Sequence, residues 1–331
     1  MEQNLRQIAN MLIINGSLLE NSGLWYGKMG VAIFFFYYGR FTGNDLYEDY
    51  AMEVIDAIRA EIHHDSAADY ARGLAGIGAG IEFLSQNGFL DINSDEILED
   101  FDSRIRSDIM YRQQENNNIA DGLCGLGLYL FHRLNCSQAD ELHLLTNREM
   151  MLHIVNILEN EEKFLPDDLP AILSFLCRLY SLDICNPKIE RCIEKVLKDF
   201  SIDDIPDVQL HSWTLALLRL AFIQDQTADL ACQILERSLQ TMENDEQSFV
   251  DADMTSRLLW LLQCKRLLPN AGMGLCFGRR VHTLVDQILQ QSDNELLFEK
   301  GKLSLQGCAG YALAMMTASG KCNDAWLDLL G

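Results

Sequence analysis

Apolar residues recur along most of the chain at the three- and four-residue spacing of an amphipathic helix. The stripe formed by Leu46, Tyr50, Val54 and Ile58 is one example. Strand-like alternation is nearly absent, and only five prolines interrupt the 331 residues. The pattern predicts an all-α protein.

A short glycine motif, Gly-x-x-Gly, precedes several of the most apolar helical runs. Its four copies begin at Gly27, Gly73, Gly122 and Gly307. The first three copies start 46 and 49 residues apart, and the 185 residues before the last copy have room for four similar steps. Apolar helices in the expected phase start near Pro170, His211 and Asp253. The sequence therefore predicts seven inner helices, each buried on most sides.

Amphipathic stretches between these starts predict a second, outer set of helices. They are Leu46–Ile62, Asp95–Ile109, Leu142–Leu158, Pro187–Phe200, Ala228–Leu239 and Val281–Leu289. The N-terminal stretch Leu5–Leu18 is expected to pair with the first inner helix. The first and last repeats are as apolar as the middle ones, whereas an open stack of repeats needs polar caps. We therefore expect a closed ring, an α/α toroid of seven hairpins that forms a single domain over residues 1–331.

The charge and the apolar runs narrow the choice of partners and compartment. There are 26 basic and 49 acidic residues, which gives a net charge of −23. Phosphate backbones require clustered Lys and Arg, so nucleic acid is not an expected partner. The longest apolar run, residues 31–38, is too short to span a membrane, and no basic-then-apolar leader opens the chain. The ten cysteines include no CxxC pair and fit reduced, packed thiols, so a cytoplasmic protein is expected.

The starts of the inner helices point towards one rim and carry the candidate site residues. We take His211, Asp251 and Asp253 as candidate catalytic residues. We take Trp25, Tyr26, Asp121 and Gln306 as candidate substrate-binding residues. Acids at helix starts also serve as caps without any other function. Together these side chains would form a polar bowl with aromatic edges, which suits a peptide with cationic or hydroxyl side chains.

The glycine-containing segments resemble those of the lanthionine synthetase C-like family. They are Gly23-Leu-Trp-Tyr-Gly-Lys-Met-Gly, Tyr70-Ala-Arg-Gly-Leu-Ala-Gly-Ile-Gly, Ala120-Asp-Gly-Leu-Cys-Gly-Leu-Gly and Ser304-Leu-Gln-Gly-Cys-Ala-Gly. The resemblance implies an α/α toroid. In active members it also implies a zinc ion at the rim that activates peptide cysteines to form thioether rings, as in lantibiotic biosynthesis.

The positions that would supply the family's zinc ligands differ in this sequence. Leu305 and Gln306 stand where the resemblance implies a Cys-His pair, and Asp251 stands where it implies a further Cys. Leucine cannot bind a metal, and a glutamine amide is a poor zinc ligand. We therefore expect no zinc cofactor. The fallback ligands are Cys276 and Cys308, although Cys276 is better placed to start an outer helix.

The leading hypothesis is a peptide-modification protein without the usual zinc site, which binds a peptide or a partner enzyme at the toroid rim. The alternative is an active enzyme. It would be either a thioether-forming lanthionine cyclase with shifted ligands or a carboxylate-dependent hydrolase.

Overall fold

The computed structural model describes residues 1–111, 116–136, 140–198, 200–244, 254–291 and 302–331. Over these ranges the chain forms helices and connecting loops, and no described residue lies in a strand. The all-α prediction is confirmed.

The inner helices form a closed ring. They are Lys28–Thr42, Leu74–Gln86, Leu123–Leu134, Leu169–Tyr180, Leu210–Ile223, Met254–Leu267 and Cys308–Ala318, the first to seventh inner helices. Each inner helix packs against the next, and the seventh packs against the first. Because the last helix meets the first, the predicted toroid is confirmed and an open stack is excluded.

One outer helix packs against each inner helix. In order from the first hairpin they are Leu46–Glu61, Glu99–Tyr111, Glu141–Asn160, Asn186–Leu197, Ala228–Asn244, Gly274–Gln291 and, for the seventh, Glu2–Asn15. A short helix, Ser94–Ile97, precedes the second of these. Short 3-10 helices lie at Gly16–Leu18, Pro166–Asp168, Ile202–Asp204, Asp207–Gln209, Asp225–Thr227 and Ala325–Leu330.

The N-terminal helix takes a different partner from the predicted one. The first inner helix already packs against Leu46–Glu61, the helix that follows it in the chain. The segment after the seventh inner helix turns inward instead of forming an outer helix, so the outer position there is open. Glu2–Asn15 fills that position and buries Leu5, Ile8 and Leu12 completely or nearly so.

Glycine is required where the loop entering an inner helix crosses the helix's own first turn. A Cβ at Gly76 would lie 1.9 Å from the Tyr70 carbonyl oxygen, and a Cβ at Gly310 would lie 1.8 Å from the Leu305 carbonyl oxygen. No side chain fits at such distances. The second glycine of the motif is therefore explained by a close approach of two backbone segments.

A buried ion network joins the second and third hairpins. The Arg133 guanidinium contacts Glu82 Oε2 at 2.5 Å, Asp95 Oδ1 at 2.7 Å and Asp102 Oδ2 at 3.0 Å. Tyr129 donates to Asp102 at 2.6 Å, and Gln86 donates to Glu82 at 3.0 Å. The carboxylates outnumber the guanidinium, and neutral donors satisfy the remaining oxygens.

Within the described residues, no helix has both the length and the apolar character needed to cross a membrane.

Candidate functional site

The loops that enter the inner helices are tied to one another at one rim of the toroid. Trp25 N donates to the Ala71 carbonyl at 3.0 Å, and Ala71 N donates to the Ala120 carbonyl at 2.8 Å. Each of these residues lies two positions before the first glycine of its motif. Gln306 N donates in turn to the Trp25 carbonyl at 3.1 Å. A line of backbone hydrogen bonds therefore links the seventh, first, second and third repeats.

The fourth and fifth repeats lack the glycine motif, and side chains make the hydrogen bonds between neighbouring repeats there. The Asp168 carboxylate accepts a hydrogen bond from Asn117 N at 2.6 Å, which joins the third and fourth repeats. The Gln209 side-chain amide donates to Asp167 at 2.6 Å, which joins the fourth and fifth repeats. The Asp168 side chain thus links two repeats.

The ring closes at a buried serine. The Ser304 hydroxyl lies 2.6 Å from the Gly27 carbonyl oxygen and 3.1 Å from the Leu24 carbonyl oxygen. Ser304 is only 2% exposed. This hydroxyl fixes the start of the seventh inner helix against the start of the first.

Three carboxylates gather where the second, third and fourth repeats meet at the rim. Burial raises the pKa of both Asp69 and Asp168. The charge of Asp121 raises the pKa of Asp69 further, and the charges of Asp167 and then Asp121 raise the pKa of Asp168 further. Backbone N–H groups oppose the shift, since Arg72 N donates to Asp69 at 2.8 Å and Asn117 N donates to Asp168. Asp121 is exposed and accepts a hydrogen bond from Asn116 at 3.3 Å. The cluster therefore offers one exposed carboxylate backed by two that are held by backbone donors.

An aromatic edge flanks these acids. Tyr26 is 43% exposed, and its ring lies edge-on to Trp25 with 6.5 Å between the centroids. The Arg72 guanidinium lies 5.3 Å from the Tyr26 ring centroid. Tyr26 and Asp121, both predicted as binding residues, thus belong to neighbouring parts of the rim that Arg72 and Asp69 connect.

Residues 325–330 fill the centre of the ring. Trp326 and Leu329 are fully buried, and the Trp25 indole donates to the Leu329 carbonyl at 3.0 Å. Trp25 is half-buried and anchors this segment. Its indole is therefore engaged inside the ring, and its predicted role in binding a substrate remains a prediction.

His211 lies at the start of the fifth inner helix, as its place in the repeat predicted. Its ring stacks on Trp260 with 4.4 Å between centroids, and the Trp260 indole donates to the His211 carbonyl at 3.0 Å. The contact with Trp260 of the sixth inner helix fixes the histidine at the rim. The other candidate catalytic residues, Asp251 and Asp253, lie outside the described residues.

The start of the seventh inner helix does not fit a zinc site. Leu305 is fully buried, Gln306 is half-buried, and Cys308 is fully buried inside the ring. Burial raises the pKa of the Cys308 thiol to about 12, so the thiolate that zinc requires is disfavoured there. Among the described residues, no three His, Cys, Asp or Glu side chains lie close enough together to hold a metal ion.

The backbone of Cys276 lies in the outer helix Gly274–Gln291, as the repeat phase predicted. The shifted ligand pair of Cys276 and Cys308 therefore joins an outer helix to a buried inner position. That placement gives the fallback site no support.

Asp69 and Arg72 were not identified from the sequence, although a signal was present. Asp69 and Asn118 each lie four residues before the first glycine of their motif. Each accepts a hydrogen bond from the backbone N–H three residues later, at 2.8 and 3.0 Å respectively. Aligning the loops, in addition to the glycines, would have shown this repeated turn.

Comparisons with known proteins agree with this architecture. A family model described as "Lanthionine synthetase C-like protein" matches residues 20–168. The solved structure titled "Nisin cyclase" superimposes with a TM-score of 0.69 at 16% sequence identity. The superposition covers 99% of this chain and 97% of that chain, and at this identity it shows a shared fold. No curated protein sequence matches the chain.

Proposed function

We propose that this chain, a member of the lanthionine synthetase C-like family, binds a peptide at the rim where its inner helices begin. The family's peptide chemistry motivates the class of ligand, and the side chains of the rim define what kind of peptide would fit. We propose in addition that this peptide-binding role does not use zinc.

The carboxylate cluster is the observation that carries the proposal. Asp121 is exposed, and Asp69 and Asp168 stand close enough for its charge to raise their pKa values. Like charges that crowd together are relieved by a cation, so a Lys or Arg side chain of a peptide would lower the free energy of this cluster. The net charge of −23 would attract a cationic peptide from a distance.

Tyr26 and Arg72 would orient such a peptide beside the acids. The exposed Tyr26 ring offers an apolar face and a hydroxyl, the combination that commonly anchors a bound peptide. Arg72, which stacks near that ring, can donate to a peptide carbonyl. The rim would therefore bind an extended segment across the starts of the first three inner helices.

The seventh repeat supports a role without zinc. Where the family resemblance implies a ligand pair, the chain places a buried hydrocarbon, Leu305, and a half-buried amide, Gln306. Neither side chain can lower the pKa of a substrate thiol as a bound metal does. A scaffold that keeps the ring and lacks these ligands suits binding and presentation of a peptide to another enzyme.

Peptide binding can be measured by fluorescence anisotropy with a labelled peptide rich in Lys, Ser and Thr. A matched peptide with Glu in place of Lys tests the role of charge. We expect Asp121→Asn to weaken binding about two- to fivefold, the range of an exposed ion pair. Tyr26→Ala should weaken it about tenfold, as for an aromatic anchor.

Asp91→Asn is the matched control, because Asp91 is an exposed acid in the loop after the second inner helix, at the other end of the toroid. Equal binding of the Lys and Glu peptides, or equal losses in Asp121→Asn and Asp91→Asn, would contradict the proposal. If the chain binds a protein partner but neither of the two peptides, the result would instead favour docking of a partner enzyme.

The two enzymatic alternatives remain predictions. A cyclase with shifted ligands would need Cys308, which is buried and has a raised pKa. A carboxylate-dependent hydrolase would use Asp251 and Asp253, which lie outside the described residues.

A further inference from the structure

The loops that enter the fourth and fifth inner helices expose apolar side chains at the rim. Leu165 in the first of these loops is 53% exposed, and Val208 in the second is 91% exposed. The prolines of the same loops, Pro166 and Pro206, are also exposed. These four residues are called the apolar patch below.

The corresponding loops of the first three repeats have a different character. In the seven residues that end at the first glycine of each of these three motifs, all of which the structure describes, no Leu, Ile or Val side chain is exposed. The large exposed side chains there are Tyr26, Arg72 and Asp121. One part of the rim is therefore polar and aromatic, and the part next to it is aliphatic.

The two loops of the apolar patch lie side by side. The Gln209 side-chain amide donates to Asp167 at 2.6 Å, and Pro166 and Val208 are the neighbours of this pair in the chain. Single exposed apolar residues are common on protein surfaces, whereas several of them in adjacent loops indicate a contact surface. Pro166 also begins a 3-10 helix, which is a structural role for proline. That role does not require an exposed Leu165 or Val208.

The apolar patch is continuous with the carboxylate cluster. Asp168 N donates to the Leu165 carbonyl at 3.0 Å, and the Asp168 carboxylate accepts from Asn117 N of the third repeat at 2.6 Å. Asp168 thus connects the patch to the cluster. The exposed Asp121 lies at the start of the third inner helix, one step around the ring from the loop that carries Leu165. A ligand that binds Asp121 and extends towards the fifth repeat would therefore cross the patch.

The acids of the same two loops are engaged by side chains of the protein. Asp167 accepts the hydrogen bond from Gln209. Asp207 forms an ion pair with the Arg237 guanidinium at 2.9 Å. A second cationic residue of a ligand would therefore gain less here than at Asp121, and the apolar side chains are what distinguishes this part of the rim.

The geometry of the ring sets the spacing that such a ligand needs. Packed neighbouring helices lie about 8–10 Å apart, and an extended peptide rises about 3.3 Å per residue. One to two steps around the ring therefore correspond to about three to six residues of peptide. A peptide whose cationic side chain is at Asp121 would place a side chain about four residues away against the patch.

We propose that the apolar patch binds a large aliphatic or aromatic side chain of the same peptide whose Lys or Arg contacts Asp121. This inference rests on the proposed binding of a peptide at the rim. It narrows the ligand to a segment in which a cationic residue and a large apolar residue are about four positions apart. The apolar residue gains by leaving water, and the separation of the two residues gives the selectivity.

Fluorescence anisotropy with three labelled peptides tests the proposal. Each is built from Ser, Thr and Gly around a central Lys. The first carries Leu four positions to each side of the Lys, the second carries Ser there, and the third carries Leu directly on each side of the Lys. We expect the first to bind about four- to fifteenfold more tightly than the second, the range for one or two methylene groups removed from water. The third should gain little, because adjacent residues are too close together to reach both sites.

Val208→Ser should remove most of the advantage of the first peptide and leave the second peptide unchanged. Val208 is so exposed that this variant should fold normally. Leu142→Ser is the matched control and should change neither affinity, because Leu142 is 68% exposed in the first turn of an outer helix. The proposal is overturned by equal binding of the first peptide and either of the others, by equal losses for both peptides in Val208→Ser, or by the same result in Leu142→Ser.

The same measurements separate this inference from the proposed function. If the Ser peptide binds through Asp121 and Leu adds no affinity, only the inference fails. If none of the Lys peptides binds, peptide binding at the rim fails and the inference fails with it. Sedimentation velocity tests for a second copy of the chain as the occupant of the patch. A dimer that Val208→Ser converts to a monomer, with peptide affinities unchanged, would overturn the proposal.

Discussion

The toroid carries acids at the end where its inner helices begin and arginines at the end where three of them finish. Asp69, Asp121 and Asp168 lie at the first end, and Arg178 and Arg219 are among those at the second. Part of this arrangement is helix electrostatics, because negative charge is favoured near helix N-termini and positive charge near C-termini. The dipole explains the sign of the charges at each end.

The helix dipole does not explain how completely each charged side chain is paired. The extent of pairing differs between the charged residues. Asp69 and Asp168 accept hydrogen bonds from backbone N–H groups, so they are part of the loop structure that closes the rim. Arg133 is similarly saturated by its carboxylates, whereas Arg178 is not. Saturated charges hold the fold, so the exposed Asp121 is the member of the acidic cluster that is available for binding.

The strongest test of this distinction removes Arg133. Arg133→Gln would leave Glu82, Asp95 and Asp102 buried around an uncharged amide, and we expect a loss of about 3–5 kcal/mol in the free energy of unfolding. Arg178→Gln should cost much less, because Asp328 keeps Arg266 as its partner. Urea unfolding followed by circular dichroism measures both. Similar losses for the two variants would remove the distinction.

A second test weakens the rim at the point where the ring closes. Ser304→Ala removes the buried hydroxyl between the starts of the seventh and first inner helices, and with it the hydrogen bond that this hydroxyl donates to the Gly27 or the Leu24 carbonyl. We expect a loss of about 1–3 kcal/mol in the free energy of unfolding. Ser103→Ala, on an exposed position of an outer helix, is the matched control and should change stability little. A neutral Ser304→Ala would mean that packing and the backbone hydrogen bond from Gln306 to Trp25 close the ring without this hydroxyl.

The smallest expected effect is a pH dependence at Asp168. Burial raises the pKa of this carboxyl in the folded chain, so its ionised form destabilises the fold and protonation relieves that cost. Relative to Asp168→Asn, which is uncharged at every pH, the wild type should gain stability as pH falls through the raised pKa.

Thermal unfolding of both proteins at a series of acidic and neutral pH values measures this difference, which should be smaller than the effect of Ser304→Ala. A wild type that loses stability relative to Asp168→Asn as the pH falls would show that Asn117 and its backbone donor dominate over burial.

Much of the fold could be predicted because its signals are local. Inner helices predicted near Pro170, His211 and Asp253 begin at Leu169, Leu210 and Met254, although no glycine marks them. Apolar periodicity along a dozen residues is enough to predict these helices, because each inner helix is apolar on most of its faces. The partner of Glu2–Asn15 could not be predicted in the same way, because it depends on closure of the whole ring.

The candidate site could be predicted only in part. His211, Tyr26 and Asp121 lie at the rim because position in the repeat sets where a residue falls on the ring. The burial that raises the pKa of Asp69, and the use of the Trp25 indole to hold Leu329, arise from contacts between distant segments. Such contacts leave no periodic signal in the chain.

The sequence by itself determined the helices, their order and the glycines on which each inner helix begins, because these follow from side-chain periodicity and backbone sterics within one hairpin. Only the tertiary structure decided that residues 325–330 fill the centre of the ring, and that Arg178, Arg219 and Arg266 meet around one carboxylate. Helix periodicity acts over a few residues, whereas the balance of buried charge depends on which helix ends closure of the ring brings together.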